Sequence, residues 1–183
     1  IAINDTLAIL EDAATTSINV TANDLNILGV ATVTIVNAPR LGVAVVNGLN
    51  IDYTPNLNAN GGDAIVYKLT VGGIDSNLGG VTIAIAPVND LPTAVNDSAQ
   101  SLAGVSTSIN VLANDSDPDG FADLATAANL SLVTLQAGAG TATAVVGAGG
   151  VVTFNATGAG TYTFTYRAKD QAGALSLNTA TVT

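Results

Sequence analysis

The sequence predicts an all-β fold built as two tandem Greek-key β-sandwiches, and three observations carry that prediction. Short runs rich in Val, Ile and Thr are separated by Gly and Asn, with 19 Gly among 183 residues, which is the composition of strands joined by tight turns. Hydrophobic residues reach 48% but aromatic ones only 4%, with no Trp or Met, so the core is aliphatic and thin, and no stretch reads as a long amphipathic helix. The third observation is an internal repeat.

Ala2-Ile3-Asn4-Asp5 matches Ala94-Val95-Asn96-Asp97, and Ser17-Ile18-Asn19-Val20-Thr21-Ala22-Asn23-Asp24 matches Ser108-Ile109-Asn110-Val111-Leu112-Ala113-Asn114-Asp115, at offsets of 92 and 91 residues. Looser matches keep the same order: Asn50–Thr54 with Val151–Asn155, and Ile65–Lys68 with Phe164–Arg167. Two modules follow, residues 1–92 and 93–183, the second carrying insertions around Asp117 to Asn129. Each has about the size of an immunoglobulin-like sandwich.

Strands are placed by the two-residue period. In the first module they fall at residues 17–21, 31–36, 43–46, 50–54, 64–71 and 81–85, with Asn47-Gly48 marking a hairpin turn between the third and fourth. In the second they fall at 107–112, 130–136, 141–146, 151–155 and 161–168. The last alternates most cleanly: Tyr162, Phe164, Tyr166 and Ala168 share one face, Thr161, Thr163, Thr165 and Arg167 the other. Tyr53, Tyr67, Tyr162 and Tyr166 are expected to pack in the core with their hydroxyls at its rim. The chain begins and stops inside strand-like runs, the pattern of a segment cut from a longer repetitive protein.

Composition excludes whole classes of chemistry. There is no Cys and no His, which removes disulfides, the usual zinc and copper ligand sets and imidazole acid–base catalysis. Ser and Thr lack a His or Lys base to activate them, the acids sit in turns, and no aromatic sugar platform is evident, so no enzyme is expected. Fourteen acids against four bases leave a net charge of -10, and Arg40, Lys68, Arg167 and Lys169 do not cluster, so nucleic acid is not an expected partner. Apolar runs are far shorter than the roughly 20 residues a bilayer span needs, and no membrane insertion is expected.

What remains is hard oxygen chemistry. Asp115-Ser116-Asp117-Pro118-Asp119-Gly120, followed by Asp123, sets alternate carboxylates around one point with Gly120 permitting a sharp turn, as in the opening half of a calcium loop. A closing Glu is missing, since position 126 is Thr126, so affinity is expected in the range of about 0.1 to 1 mM. A solvated acidic turn uses the same residue types. In the first module Asp24 stands where Asp115 does, but the carboxylates after it are gone.

The junction Ala86-Pro87-Val88-Asn89-Asp90-Leu91-Pro92-Thr93-Ala94-Val95-Asn96-Asp97 combines two Asn-Asp pairs with stiffening prolines. With Glu11-Asp12, Ala22-Asn23-Asp24, Tyr53-Thr54-Pro55, Asp63 to Tyr67, Tyr162 to Tyr166 and Asp170 to Gly173, it resembles the cadherin-like and immunoglobulin-like tandem repeats of large secreted bacterial surface adhesins of the RTX/VCBS type. That resemblance covers both modules. It implies an extracellular or cell-surface structural or adhesive repeat, stalk-forming, with neighbouring repeats of the same chain as partners and a cell-surface or matrix ligand beyond them. It also implies calcium at the junction, for which Glu11, Asn89, Asp90 and Asp97 join Asp24, Asp115, Asp117, Asp119 and Asp123 as candidate ligands. Glu11-Asp12 has no acidic counterpart in the second module, so calcium chemistry is expected to be unequal between the two. A ligand- or glycan-binding module and an accessory domain of a secreted hydrolase are the alternatives.

Overall fold

The structure, a computed structural model, describes residues 1–27, 29–120, 124 and 140–183 together with the strand at 131–136. The chain divides into two units, Ile1–Val88 and Asn89–Thr183. The boundary drawn at residue 92 from the repeat lies inside the second.

The first unit contains β1 (Asp5–Leu10), β2 (Thr16–Asn19), β3 (Ala31–Asn37), β4 (Gly42–Asn47), β5 (Asn50–Pro55), β6 (Gly61–Val71), β7 (Ile74–Asp75) and β8 (Gly79–Ala86). One sheet runs β1-β8-β6-β3 with the short β7 folded back on β6, and the other runs β2-β5-β4. All pairs are antiparallel except β1 with β8, which run parallel from Asp5 beside Val81 to Leu10 beside Ala86. Alternation decides which side chains enter the core. On β6 these are Asp63, Ile65, Tyr67 and Leu69, on β8 Val81, Ile83 and Ile85, and on β5 Ile51 and Tyr53. With Ala2, Ile18, Val20 and Val33, all of these but Asp63 form one apolar cluster between the sheets. Each fully buried aliphatic side chain contributes about 1.5 to 3 kcal/mol of transfer free energy. Between β4 and β5 the loop is Gly48-Leu49, and Gly48 takes φ +64, which a side chain resists. β1 is not among the strands the pattern predicts, because its apolar residues fall on both faces: Leu7 and Ile9 are half-buried, Ala8 and Leu10 exposed.

The second unit contains β9 (Thr107–Asn110), β10 (Ser131–Gln136), β11 (Ala142–Val146), a 3-10 turn at Ala148–Gly150, β12 (Val151–Ala156), β13 (Thr163–Arg167) and β14 (Ala180–Val182). Its sheets run β10-β13-β14 and β11-β12-β9. Phe154 from one sheet meets Phe164 from the other at a centroid separation of 6.4 Å, and Tyr162 at 5.7 Å. Val111, Leu112, Leu124, Val152, Tyr166, Ala168, Ala180 and Val182 complete the cluster. β13 starts two residues later than its alternation predicts.

Candidate metal centre

The acidic loop folds on its own carboxylate. Asp117 Oδ1 accepts the amide of Asp119 at 2.9 Å and the Asp117 carbonyl accepts the amide of Gly120 at 3.0 Å, with Gly120 at φ +108. An aspartate accepting from the residue two positions on closes such a turn by itself. Thr93 and Ser116 exchange both backbone hydrogen bonds, at 2.8 and 3.1 Å, which fastens the loop to the segment that opens the unit.

That fastening assembles an oxygen-rich group. Asp119 Oδ2 accepts the Asp90 amide at 2.9 Å. Asn89 donates its side-chain amide to the Asp90 carbonyl and to Asp170 Oδ2, both at 2.9 Å. Asp170 Oδ1 accepts the Ala174 amide at 2.7 Å, in a turn that Gly173 closes at φ +92. Asp117 and Asp170 are buried, the latter only 2% exposed. The carboxylates of Asp119 and Asp170 and the Asn89 side chain are thus linked through the Asp90 backbone, and Asp117 joins them through the Asp119 amide. Calcium requires six to eight hard oxygens, and carboxylates and an amide side chain are the donor types it takes. Asp170 was not among the candidate ligands. Its signal is the Asp170-x-x-Gly173 turn, far along the chain from the acids it joins.

Other predicted ligands are placed elsewhere. Asp115 and Asp97 surround the Tyr166 hydroxyl, which lies 3.0 Å from Asp115 Oδ1, 3.0 Å from Asp97 Oδ2, 3.0 Å from the Val95 carbonyl and 2.7 Å from the Val111 carbonyl. Asp115 Oδ1 also accepts the Val95 amide at 2.7 Å. Burial raises the pKa of both carboxyls above the ordinary value, against the lowering effect of the tyrosine hydroxyl. Burial, with the two carboxylates beside it, raises that of Tyr166. Asp24 lies in the corresponding group of the first unit. There Tyr67 approaches Asp5 Oδ2 at 3.0 Å and the carbonyls of Ile3 and Val20 at 3.1 and 2.9 Å, while Asp24 Oδ1 accepts the Ile3 amide at 2.6 Å. These acids clamp each unit's leading segment onto a buried tyrosine.

Glu11 is buried in the first unit, taking the Val88 amide at 2.6 Å and the Asn60 side chain at 2.9 Å. Asp123 lies outside the described residues.

One further carboxylate is buried for a structural reason. Asp63 accepts the amides of Arg40, Leu41 and Ala64 at 2.8, 2.8 and 2.9 Å and the Tyr53 hydroxyl at 2.9 Å. Burial alone raises its pKa, but those four donors outweigh it and hold the carboxyl below its ordinary value. It locks the turn between β3 and β4.

Paired sheets with an aliphatic core and a tyrosine-clamped leading segment define immunoglobulin-like repeat modules, present here twice. The chain belongs to the bacterial Ig domain family, which matches residues 1–84 and 89–183. Its fold is shared with cadherin ectodomains. Human CDH23 EC21-23 aligns at a TM-score of 0.61 with 17% identity, over 98% of this chain and 66% of that one. Protocadherin Gamma B2 domains 3-6 align at 0.53 with 16% identity, over 98% and 45%. Human mucin-like protocadherin EC1-2 aligns at 0.54 with 16% identity, over 98% and 93%. The chain spans less than two thirds of the length of the first two of these structures. No curated protein matches it. No helix among the described residues is long and apolar enough to cross a membrane.

Proposed function

We propose that this chain is a structural or adhesive repeat of an exported bacterial surface protein, a stalk-forming pair of modules stiffened by calcium at the junction segment. Its partners are then neighbouring repeats of the same chain and a cell-surface or matrix ligand. The observation that supports the calcium reading is the hydrogen-bonded group of Asn89, Asp90, Asp117, Asp119 and Asp170 at the start of the second unit. In the first unit Glu11 does comparable work, holding the amide of Val88, the residue before Asn89.

Held this way, the backbone on each side of the Val88–Asn89 link is tied to a carboxylate of its own unit, Val88 to Glu11 and Asp90 to Asp119. A divalent cation on the second unit's group would neutralise acids that otherwise repel and fix the direction in which the junction leaves the fold. Calorimetric titration of the intact chain with calcium tests this. Binding at about 0.1 to 1 mM is expected, weakened at least tenfold by Asp119→Asn or Asp170→Asn. No heat and no change in melting temperature at several millimolar calcium would refute the calcium reading.

A further inference from the structure

We infer that Asn19 is a modification site, the acceptor for an N-linked sugar delivered from a diphosphate carrier. The chain contains Asn-x-Ser/Thr triplets at Asn4, Asn19, Asn96, Asn114, Asn129 and Asn155, the pattern that N-glycosylating enzymes read on protein surfaces. In a chain rich in Asn and Thr the pattern alone decides nothing, and the surroundings of each asparagine do. Asn129 lies outside the described residues.

Asn19 ends β2 and is exposed. Its Oδ1 accepts two donors from Thr21, the backbone amide at 3.1 Å and the hydroxyl at 2.9 Å. Val20 between them is fully buried and its carbonyl accepts the Tyr67 hydroxyl at 2.9 Å, so the core holds this turn in place. That geometry suits the transfer. Nδ2 forms a bond to the anomeric carbon of the sugar while the bond from that carbon to the carrier's diphosphate oxygen breaks; the diphosphate leaves with the electron pair, and Nδ2 gives one proton to a base of the transferase. An amide nitrogen is a poor nucleophile because its lone pair is delocalised onto the oxygen. As it loses its proton, negative charge gathers on Oδ1, where two fixed donors already stand to stabilise it.

The other described triplets are engaged differently. At Asn4 and Asn96 the amide oxygen is taken by distant backbone amides, those of Gly80 at 2.9 Å and Thr181 at 2.8 Å. At Asn114 and Asn155 the nitrogen itself is occupied, donating to the Asn96 carbonyl at 3.0 Å and the Ser106 hydroxyl at 3.1 Å. The repeat supplies a further contrast. Asn110 stands where Asn19 does and its Oδ1 accepts the Leu112 amide at 3.3 Å, but buried Leu112 replaces Thr21 and the hydroxyl is gone. Their neighbours diverge too. On the solvent face of the first unit's sheet Asn19 stands opposite Asn50, and Asn50 opposite Asn47, a row of three asparagines, whereas Asn110 stands opposite Val151. Amide side chains offer both donors and acceptors, the complement of sugar hydroxyls.

The test exposes the intact folded chain to a soluble N-glycosyltransferase with uridine diphosphate glucose and, in a second arm, to a membrane oligosaccharyltransferase with a lipid pyrophosphate-linked oligosaccharide. Peptide mass spectrometry maps the sugar. Expected is modification of Asn19 in at least one arm, the productive arm identifying the carrier. In the folded chain Asn19 should lead the other triplets in rate by about tenfold or more, a lead that short peptides spanning each triplet should not reproduce. Thr21→Ser keeps the hydroxyl and should keep the sugar; Thr21→Val should lose it, with hydrogen exchange showing the first unit still folded. Asn19 left bare in both arms would overturn the inference. So would comparable rates at the other triplets of the folded chain, or an equal lead for Asn19 among the peptides, since the fold would then add nothing.

Discussion

The two units solve one problem identically and a second differently. Each pins its leading segment onto a buried tyrosine and an asparagine. Tyr67 and Asn77 hold the backbone around Ala2 and Ile3, with Asn77 taking the Ala2 amide at 2.9 Å and donating to its carbonyl at 2.8 Å. Tyr166 and Asn178 do the same for Val95 and Ala94, the Asn178 side chain again bonding both polar groups of the alanine. What differs is where the remaining acids go. The first unit spends one on an internal turn, through Asp63, where the second has Tyr162 in the corresponding position. The second links Asp170 to Asn89, and Asp119 and Asp117 to the neighbouring Asp90 backbone. Repetition marks what closes the sandwich, and divergence marks what each copy adds to it.

The sharpest way to break this comparison is at Asp63. Asp63→Ala leaves three backbone amides and the Tyr53 hydroxyl without their acceptor and should cost the first unit about 3 kcal/mol or more, while hydrogen exchange in the second unit stays unchanged. The same residue sets a pH dependence. Its folded pKa lies below the unfolded value, so its contribution is present above about pH 4 and is lost as pH falls through the folded value. Asp97 and Asp115 have the opposite sign: their raised pKa values favour the folded second unit at low pH, and that contribution is lost as pH rises through the folded values. In EDTA, acidification below about pH 4 should therefore weaken the first unit relative to the second, and Asp63→Asn should shrink that difference.

Next in size are the clamps themselves. Tyr67→Phe and Tyr166→Phe each remove a hydroxyl from a ring of acceptors and should cost their own unit about 1 to 3 kcal/mol by denaturant unfolding. Equal losses would mark the clamps as equivalent. A near-zero loss in either would show that it closes nothing.

Calcium should separate the units by a smaller amount. At 1 mM and a dissociation constant near 0.1 mM, binding stabilises by about 1.4 kcal/mol. The gain is expected in the second unit and should disappear in Asp170→Asn. Least of all is the pair Lys68 to Asp75, 2.6 Å apart at the surface. Lys68→Met should change stability by about 0.5 kcal/mol or less. At the matching position Arg167 bonds the Ser176 carbonyl instead.

Much of the fold was legible because β6, β8 and β13 alternate cleanly between one wet and one dry face. β1 was not, because an edge strand held by a parallel partner needs only half of its apolar residues inside. The acids show the limit more clearly. Asp115, Asp117 and Asp119 read as one cluster along the chain, yet Asp115 turns to Val95 and Tyr166 while Asp119 turns to Asp90. Alternation describes a strand, and this segment is a turn, so neighbouring carboxylates need not converge. Asp170 joins the group only through tertiary folding, which no local spacing announces.

The parallel ladder between β1 and β8 has a mechanical consequence. These strands carry the two ends of the first unit's chain, so tension applied at Ile1 and Val88 pulls them past each other lengthwise. Every rung from Asp5 to Leu10 is loaded at once, and none can be peeled off singly.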